Sequence, residues 1–231
     1  MSFIVAIDGP AGSGKGTITK LVAKKLNLIN IDTGAMYRCV ALEALKNGID
    51  STEVGKIEKM MKDISIQLKR QEDKQVVLLN NQDVSEEIRS VEVDNCVAKF
   101  AAIKCVRDKM TPLQRKMREL GNIIMEGRDI ATAVFPDADV KIYLNASIEE
   151  RAKRRYKQDL EKGMQVTYEE VLEGMIQRHK LETEREIAPL RKTADAIEVD
   201  TSNMTIEEVT EEIIKIIENK MQKERKDETV F

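Results

Sequence analysis

An α/β fold is the architecture that this sequence predicts, and two observations predict it. Short apolar runs that suit buried strands alternate with segments whose apolar residues recur at helical spacing. The first such pair, a strand at 3–7 and a helix that follows Lys15, is joined by a glycine-rich turn. Because alternating strands and helices usually build a parallel sheet, we expect a sheet flanked by helices.

Five segments are candidate core strands. They are residues 3–7, 28–31, 122–126, 140–144 and 196–199. The candidate helices are residues 19–26, 33–45, 106–120, 147–156, 168–185 and 205–221. Pro112 predicts a kink or a break in the helix over 106–120, because proline lacks the backbone donor. The charged residues 222–231 predict a frayed end.

The pattern changes between residues 51 and 100. A helix is predicted around Ile57 and Ile64, and strands are predicted at 64–68 and 76–79 on either side of a polar turn at 69–74. Two antiparallel strands inside an alternating chain predict an insertion with its own small sheet. Helical spacing then resumes from Val91.

The glycine-rich turn is typical of a phosphate-binding loop, since it follows a strand and opens a helix. Glycines let successive backbone N–H groups surround phosphate oxygens, and the helix directs its positive end to the same place. A lysine adds a full charge on a flexible stem. The loop residues are Gly9, Pro10, Ala11, Gly12, Ser13, Gly14, Lys15, Gly16 and Thr17. A turn that binds nothing is the alternative, but the strand–loop–helix context favours a nucleotide phosphate site.

Composition excludes several other classes of protein. The chain has 231 residues and a net charge of −3, which argues against nucleic acid as the main partner. With a single histidine, His179, a histidine-based triad is nearly excluded. No uncharged apolar run approaches ~18 residues, so no membrane span is expected. The three scattered cysteines and the immediate start of a core strand favour a cytoplasmic protein without a signal peptide.

Polar residues follow two of the candidate strands. Asp32 and Thr33 come after the second strand as helix-capping residues, with Tyr37 and Arg38 in the next turns. The strand at 122–126 ends in an acid and continues with Gly-Arg-Asp at 127–129. Ligands of open α/β sheets bind at the carboxyl ends of the strands, so both places are candidate site elements, beside the alternative of plain caps and turns.

Arginines gather on two later helices. Arg151, Arg154 and Arg155 share one helix face, and Ser147 with Glu150 fits a capping box at the start of that helix. Either this helix is a solvated surface helix or it is a lid over phosphates. On the helix over 168–185, the spacing of Arg178, Glu182 and Arg185 predicts one line of side chains.

Candidate arginines therefore come from several separate segments. They are Arg38, Arg107, Arg128, Arg151, Arg154, Arg178 and Arg185. Phosphoryl transfer between two anionic reactants requires mainly positioning and charge neutralisation, which arginine supplies through bidentate contacts. No Asn-Lys-x-Asp segment is present to select guanine, so two phosphate-bearing substrates are favoured over a GTPase.

Five motifs, in order and covering roughly residues 3 to 220, resemble those of bacterial cytidylate kinases. They are Ile7 to Lys15, Asp32 to Arg38, Asp83 to Arg89, Gly127 to Asp129, and Ala188 to Leu190. The resemblance implies a P-loop nucleoside monophosphate kinase fold with a five-stranded parallel sheet. It implies a core of about 1–59, 101–147 and 166–221, a monophosphate-binding insertion of about 60–100 and a lid of about 148–165.

The resemblance also implies an activity and a set of roles. ATP, with Mg²⁺, would donate its γ-phosphoryl group to CMP or dCMP. Residues 9–17 and the lid arginines would hold ATP, and Thr17 would meet Mg²⁺, mostly through waters and phosphates. Lys15, Arg128, Arg178 and Asp129 would be the catalytic residues. The acceptor would be bound by Asp32, Thr33, Tyr37, Arg38, Arg107, Arg128, Asp129, Arg178, Glu182 and Arg185, of which Arg107, Asp129 and Arg185 would lie at the cytosine end. A cytoplasmic monomer that binds neither nucleic acid nor membrane is expected.

Four positions depart from the pattern of the family. Ala98 stands where a base-contacting serine is often found, and Glu182 replaces an aspartate near the ribose. Glu126 replaces an aspartate, and Ala131 replaces a glycine. A lost hydrogen bond in a polar pocket weakens discrimination by ~1–3 kcal/mol, so these changes predict weaker selection of cytosine, while the class of activity is expected to survive them. The alternatives are a kinase for UMP or AMP, or a nucleotide-binding regulator with little turnover.

Overall fold

Five parallel strands form the central sheet in a computed structural model that describes residues 2–71 and 74–228. They are β1 (Ile4–Asp8), β2 (Ile29–Asp32), β6 (Ile123–Gly127), β7 (Val140–Asn145) and β8 (Ile197–Asp200). Their spatial order is β2-β6-β1-β7-β8, and all neighbours are parallel. The predicted α/β fold and its five core strands are confirmed.

Helices cover the sheet and connect its strands. They are α1 (Lys15–Leu26), α2 (Thr33–Lys46), α3 (Val54–Asp63), α4 (Val91–Ala101), α5 (Lys104–Lys116), α6 (Ile148–Glu161), α7 (Tyr168–Glu184) and α8 (Ile206–Glu228). Short 3₁₀ turns at Glu87–Arg89 and Met117–Leu120 and a π-helical turn at Ile130–Val134 complete the connections. Within the described residues, no helix is long and apolar enough to cross a membrane.

A second, antiparallel sheet lies between α3 and α4. Its strands are β3 (Ile66–Gln71), β4 (Lys74–Leu79) and β5 (Gln82–Asp83). The two predicted strands are present, while the two-residue β5 was too short to give a sequence signal. Of the predicted polar turn, Glu72 and Asp73 lie outside the described residues.

The central sheet is apolar on both faces, as parallel sheets are. Alternate residues of β1 point to opposite sides, so Val5 and Ile7 join a cluster with Ile213 and Ile217 of α8. On the other face, Ile4 packs in a cluster with residues 130–135. The strand ends where the phosphate loop begins are therefore held in a rigid core.

The break that was one alternative at Pro112 is absent, and the frayed end predicted from residue 222 is wrong, while the alternative kink at Pro112 stays a prediction. Helix α5 runs without a break through Pro112. Although proline removes one helix hydrogen bond, Arg115 anchors the turn that follows by donating to Val134 O at 3.1 Å and Ala133 O at 2.6 Å. The last helix continues to Glu228 rather than fraying from 222, because residues 222–228 are mostly strong helix formers. Residues 229–231 lie outside the described part.

Candidate active site

The glycine-rich loop joins β1 to α1 as predicted, and its backbone requires glycine at defined positions. Gly9 has φ 154°, and a Cβ there would lie 2.1 Å from Leu144 O. Gly12 has φ 79°, and a Cβ there would approach Met175 Cε to 2.9 Å and Arg151 Cβ to 3.0 Å. At Gly9 the distance excludes any side chain, and at Gly12 the positive φ together with the tight contacts disfavours one, so the loop packs directly on β7 and on helices α6 and α7.

Lys15 is buried in the first turn of α1, and its ammonium group is held by the loop itself. Lys15 Nζ donates to Gly9 O and Pro10 O at 2.7 Å each, and to Ser13 Oγ at 3.2 Å. Burial, and then the nearby Arg128 guanidinium, lower the pKa of Lys15 well below its usual range. The flexible stem allows Nζ to exchange these neutral acceptors for phosphate oxygens.

Two buried carboxyl groups lie at the ends of the central strands. Asp8 accepts from Ile130 N and Ala131 N at 2.8 Å each, and burial raises the pKa of Asp8 to about 6. Glu126 accepts from Thr19 Oγ1 at 3.0 Å, and burial followed by repulsion from Asp32 raises the pKa of Glu126 to about 7. The hydrogen bonds that these two acids accept lower their pKa values less than burial raises them, because the donors are neutral groups rather than cations.

Glu126 also lies beside the start of α1. A Cβ on Gly16 would be 3.5 Å from Glu126 Oε1, and Thr17 is exposed at the next position. A hydroxyl and a carboxylate are hard oxygen ligands of the kind Mg²⁺ accepts in part, with waters and phosphates supplying the rest. In the described part of the chain, no three His, Cys, Asp or Glu residues cluster as an all-protein metal site.

Two arginines of α6 lie near the phosphate loop, Arg151 in direct contact with it and Arg154 linked to it through Thr201. Arg151 is buried and donates to Ala11 O and Ala146 O, both at 3.1 Å. Arg154 donates to Thr201 Oγ1 at 2.9 Å and Thr201 O at 2.7 Å, and Thr201 Oγ1 in turn lies 3.4 Å from Ser13 O. Sequence reasoning missed Thr201, although it follows the fifth strand, where site residues are expected.

The third arginine of this group turns away from the loop. Arg155 forms ion pairs with Asp94 at 2.8 Å and Asp159 at 2.9 Å. Ser147 caps α6 by accepting from Glu150 N, but the Glu150 carboxylate pairs with Arg154, so only half of the capping box forms.

Asp94 of α4 is the most heavily paired carboxylate of the cleft, and sequence reasoning missed it. Its oxygens lie 2.5 Å from Arg38 Nη1, 2.8 Å from Arg155 Nη1 and 3.5 Å from Arg178 Nη1. Burial alone would raise the pKa of Asp94, but the three guanidinium groups outweigh it and lower the pKa to about 2. The arginines come from α2, α6 and α7, so this cluster joins elements far apart in the sequence.

Glu182 organises the next group of charges. It lies 2.9 Å from Arg128 Nε and 3.1 Å from Arg178 Nε. Against the effect of its burial, Arg128 and then Arg178 lower the pKa of Glu182 to about 2. Arg128 also lowers the pKa of Lys15, so the arginines around Glu182 and the phosphate loop share one electrostatic environment.

A further charged group is the triad of Arg107, Asp129 and Arg185, whose side chains are all buried. Arg107 Nη2 pairs with Asp129 Oδ2, Arg185 Nη2 lies 3.3 Å from Asp129 Oδ1, and the Arg107 guanidinium lies 5.6 Å from the Tyr37 ring centroid. The predicted alignment of Arg185 with Arg178 on one helix is wrong, because α7 ends at Glu184. Arg185 has extended backbone and donates to Ala188 O instead.

Asp32 and Thr33 act locally at the start of α2. Asp32 caps the helix by accepting from Ala35 N at 3.3 Å, and Arg89 Nη2 lies 3.7 Å from its carboxylate. Thr33 is buried and donates to Glu126 O at 2.7 Å, which ties β2 to β6. The capping role of Asp32 is confirmed, and Thr33 in this structure is engaged within the fold.

The family model for cytidylate kinases matches residues 5–219, which include the loop and every arginine described above. The chain belongs to the cytidylate kinase family. The cytidylate kinase of Bacillus velezensis is 48% identical over 94% of this chain and 96% of its own length. That of Fusobacterium nucleatum is 50% identical over 94% of this chain and 98% of its own length.

A solved structure shows the same architecture at much lower sequence similarity. A crystal structure of an uncharacterised protein from Eubacterium ventriosum superposes with a TM-score of 0.51 at 13% identity, over 95% of this chain and 99% of that chain. This likeness concerns the fold alone. The resemblance of the sequence motifs to cytidylate kinases is confirmed by the family match.

Proposed function

We propose that this chain transfers the γ-phosphoryl group of ATP to CMP or dCMP, giving ADP and CDP or dCDP. The observation that carries the proposal is the family match over residues 5–219, which spans the phosphate loop and the facing arginines. In the reaction, an oxygen of the acceptor's phosphate forms a bond to the γ-phosphorus. The bond from that phosphorus to the bridging oxygen breaks, and ADP leaves.

Residues 9–17 form the proposed donor site, with Arg151 and Arg154 on its far side. The N-terminus of α1 and the loop amides favour the anionic β- and γ-phosphates. Lys15 would exchange its carbonyl acceptors for phosphate oxygens and follow the moving phosphoryl group. Thr17, with Glu126 nearby, is the proposed contact for Mg²⁺, which when bound neutralises phosphate charge.

Arg38, Arg128 and Arg178 form the proposed site for the acceptor's phosphate. Their permanent charges offset the repulsion between two anionic reactants. Glu182, held between Arg128 and Arg178, is the proposed contact for the sugar. These groups position reactants, and phosphoryl transfer asks for little further covalent work from a protein.

The proposed site for the base consists of Arg107, Asp129 and Arg185. The ring of Tyr37 lies against the Arg107 guanidinium and helps to orient it. A buried acid between two arginines offers both an acceptor and donors, as the edge of cytosine requires. Both Asp129 oxygens are already paired with arginines, which supports a role in recognition for this residue. Ala98 on α4 supplies no hydroxyl for the base, so this triad would carry most of the selectivity.

Two segments are proposed to move during turnover, around a core of about 1–59, 101–147 and 166–221. One is the monophosphate-binding insertion, residues 60–100, which holds the small sheet and most of α4. The other is the lid, residues 148–165, which holds α6. Closing them would exclude water from the transferring phosphoryl group. A cytoplasmic monomer that acts on small nucleotides, without nucleic acid or membrane, is the proposed working form.

ADP release with Mg-ATP and equal concentrations of CMP, dCMP, UMP, AMP and GMP tests the function. We expect CMP or dCMP to exceed the other three at least tenfold in kcat/KM. Preference for UMP or a purine would keep the kinase and overturn the proposed acceptor. No ADP above background with any of the five would overturn the kinase and favour a nucleotide-binding regulator.

A further inference from the structure

Asp94 presents the side-chain environment of a bound phosphate group. Its two carboxylate oxygens receive Arg38, Arg155 and Arg178 from three different helices. Its side chain is only 7% exposed. Guanidinium groups bind carboxylates and phosphates through the same planar, two-oxygen geometry.

Two of the three arginines, Arg38 and Arg178, are ones that the proposed function assigns to the acceptor's phosphate, and the sequence resemblance places the third, Arg155, among the lid arginines expected to hold ATP. Arg38 and Arg178 belong to the proposed acceptor site, and Arg155 belongs to the lid. In this structure all three converge on a carboxylate of the insertion, and none of them contacts the phosphate loop directly. A nucleotide phosphate and Asp94 would therefore require the same donors.

Two of these arginines have a second carboxylate partner. Arg155 also pairs with Asp159 at 2.9 Å, and Arg178 also pairs with Glu182 at 3.1 Å. Arg38 has in addition the carbonyl oxygen of Ile88 at 3.4 Å. Withdrawal of Asp94 would thus leave Arg155 and Arg178 neutralised and would leave Arg38 free for a new anion.

We propose that Asp94 is an internal counter-anion that occupies the place of the acceptor's phosphate between Arg38, Arg155 and Arg178 until that phosphate displaces it. The inference rests on the proposed function, because it takes these arginines as the acceptor site. Asp94 is then a positioning residue that also lowers the affinity of the enzyme for its acceptor. It keeps the arginines together in the free enzyme and competes with the incoming acceptor.

The ion pair between Asp94 and Arg155 also bears on how the chain moves. Asp94 lies on α4 of the insertion and Arg155 lies on α6 of the lid, so their ion pair bridges the two segments proposed to move. Displacement of Asp94 by phosphate would release this bridge and replace it with the substrate itself. The lid would then respond to a bound acceptor through a differential contact in the two states.

The test is the KM for CMP in Asp94→Asn, which removes the charge with almost no change of shape. We expect KM for CMP to fall three- to tenfold, while KM for ATP stays within twofold of the unsubstituted protein. Asp94→Glu, which restores the charge, should return KM for CMP towards the original value. Glu92→Gln is the matched control, since Glu92 is exposed on the first turn of the same helix and loses the same charge.

Calorimetric titration with inorganic phosphate provides a second measurement that needs no turnover. Phosphate should bind more tightly to Asp94→Asn than to the original protein or to Glu92→Gln. This arm separates the two proposals, because it holds even if the five-nucleotide assay names an acceptor other than CMP. In that case KM is measured for the acceptor so identified.

An unchanged or raised KM for the acceptor in folded Asp94→Asn, or phosphate binding no tighter than in the control, would overturn the inference. Circular dichroism and thermal unfolding establish that each variant is folded. Asp94→Ser is measured in parallel, since it also removes the charge and serves if the asparagine variant does not fold.

Discussion

The candidate site has two halves, a loop half around residues 9–17 and an arginine half around Asp94 and Glu182. The buried carboxyl groups of the two halves have pKa values shifted in opposite directions. In the loop half, Asp8 and Glu126 have raised pKa values of about 6 and about 7. In the arginine half, Asp94 and Glu182 both have lowered pKa values of about 2. All four side chains are buried to a similar degree, so burial does not explain the difference.

The difference lies in their direct partners. Asp8 and Glu126 accept hydrogen bonds from backbone amides or a hydroxyl. Asp94 and Glu182 are each in contact with at least two guanidinium groups. In these four residues the guanidinium contacts outweigh the effect of desolvation on the pKa, whereas the neutral donors do not. The arginine half is therefore charged at any physiological pH, while the loop half holds acids that respond to a cation or proton.

The largest expected effect is in the loop half. Lys15→Ala removes the ammonium group that would neutralise the transferring phosphoryl group, so kcat should fall at least ~1,000-fold. The fold should remain, because the Lys15 ammonium group donates to oxygens of its own loop rather than joining distant elements. Steady-state ADP release and circular dichroism check this, with the exposed Lys20→Ala on the same helix as the control. Near-normal turnover in folded Lys15→Ala would remove the phosphate-loop mechanism.

A second large effect is expected in the arginine half. Arg128→Ala should lower kcat/KM for CMP at least ~100-fold, since it removes a half-buried charge that acts on both Glu182 and Lys15, between the proposed acceptor site and the loop. Arg118→Ala is the control, because Arg118 also has an ion pair, with Asp137 at 3.0 Å, but lies outside the cleft. Equal losses in the two variants would contradict the assignment of Arg128 to the site.

The smallest expected effect is on the free energy of unfolding, measured as a function of pH. The raised pKa of Glu126 means that its contribution to stability is full below about pH 4.5 and is lost as pH rises through about 7. Glu126→Gln should therefore gain up to about 3 kcal/mol of unfolding free energy relative to the original protein between pH 5 and 8.5. Denaturant unfolding at a series of pH values measures this gain.

Glu182→Gln should show the opposite trend. The lowered pKa of Glu182 means that its contribution is present above about pH 4.5 and is lost as pH falls through about 2. This variant should be less stable by up to about 3 kcal/mol at pH 7, and the difference should shrink in acid. If the unfolding free energies of the two glutamine variants changed with pH in the same direction, the carboxyl groups of the two halves would not have oppositely shifted pKa values.

The sequence predicts the loop half well because its signals are local. The strand, the glycines and Lys15 are contiguous, and their chemistry can be recognised without knowing the rest of the fold. The five core strands are equally clear, since each is a short apolar run. Pro112 misleads because the sequence shows only the helix hydrogen bond that proline cannot donate. The contacts of the Arg115 side chain with a distant turn, which offset that loss, are not visible in the sequence.

The arginine half is predicted only in part, because its partners are distant in sequence. Asp94 reads as an ordinary acid in the first turn of a helix, and nothing nearby indicates that residues 38, 155 and 178 will meet it. Arg154 and Arg155 are adjacent, yet they point about 100° apart around the helix and reach Thr201 and Asp94 respectively. Such contacts depend on how the helices are placed.

The strand order also dictates when the fold can form during synthesis. In the described part of the chain, β2 pairs only with β6, and β1 pairs with β6 and β7. A ribosome that has made the first hundred residues has thus produced two central strands with no partner between them. The phosphate loop, the proposed site for ATP, is fixed in place only when residues 123–127 insert between those strands. Until then β1 and the apolar side chains of β2 lack the strand that lies between them in the folded sheet, so the sheet forms only through pairing that is distant in sequence.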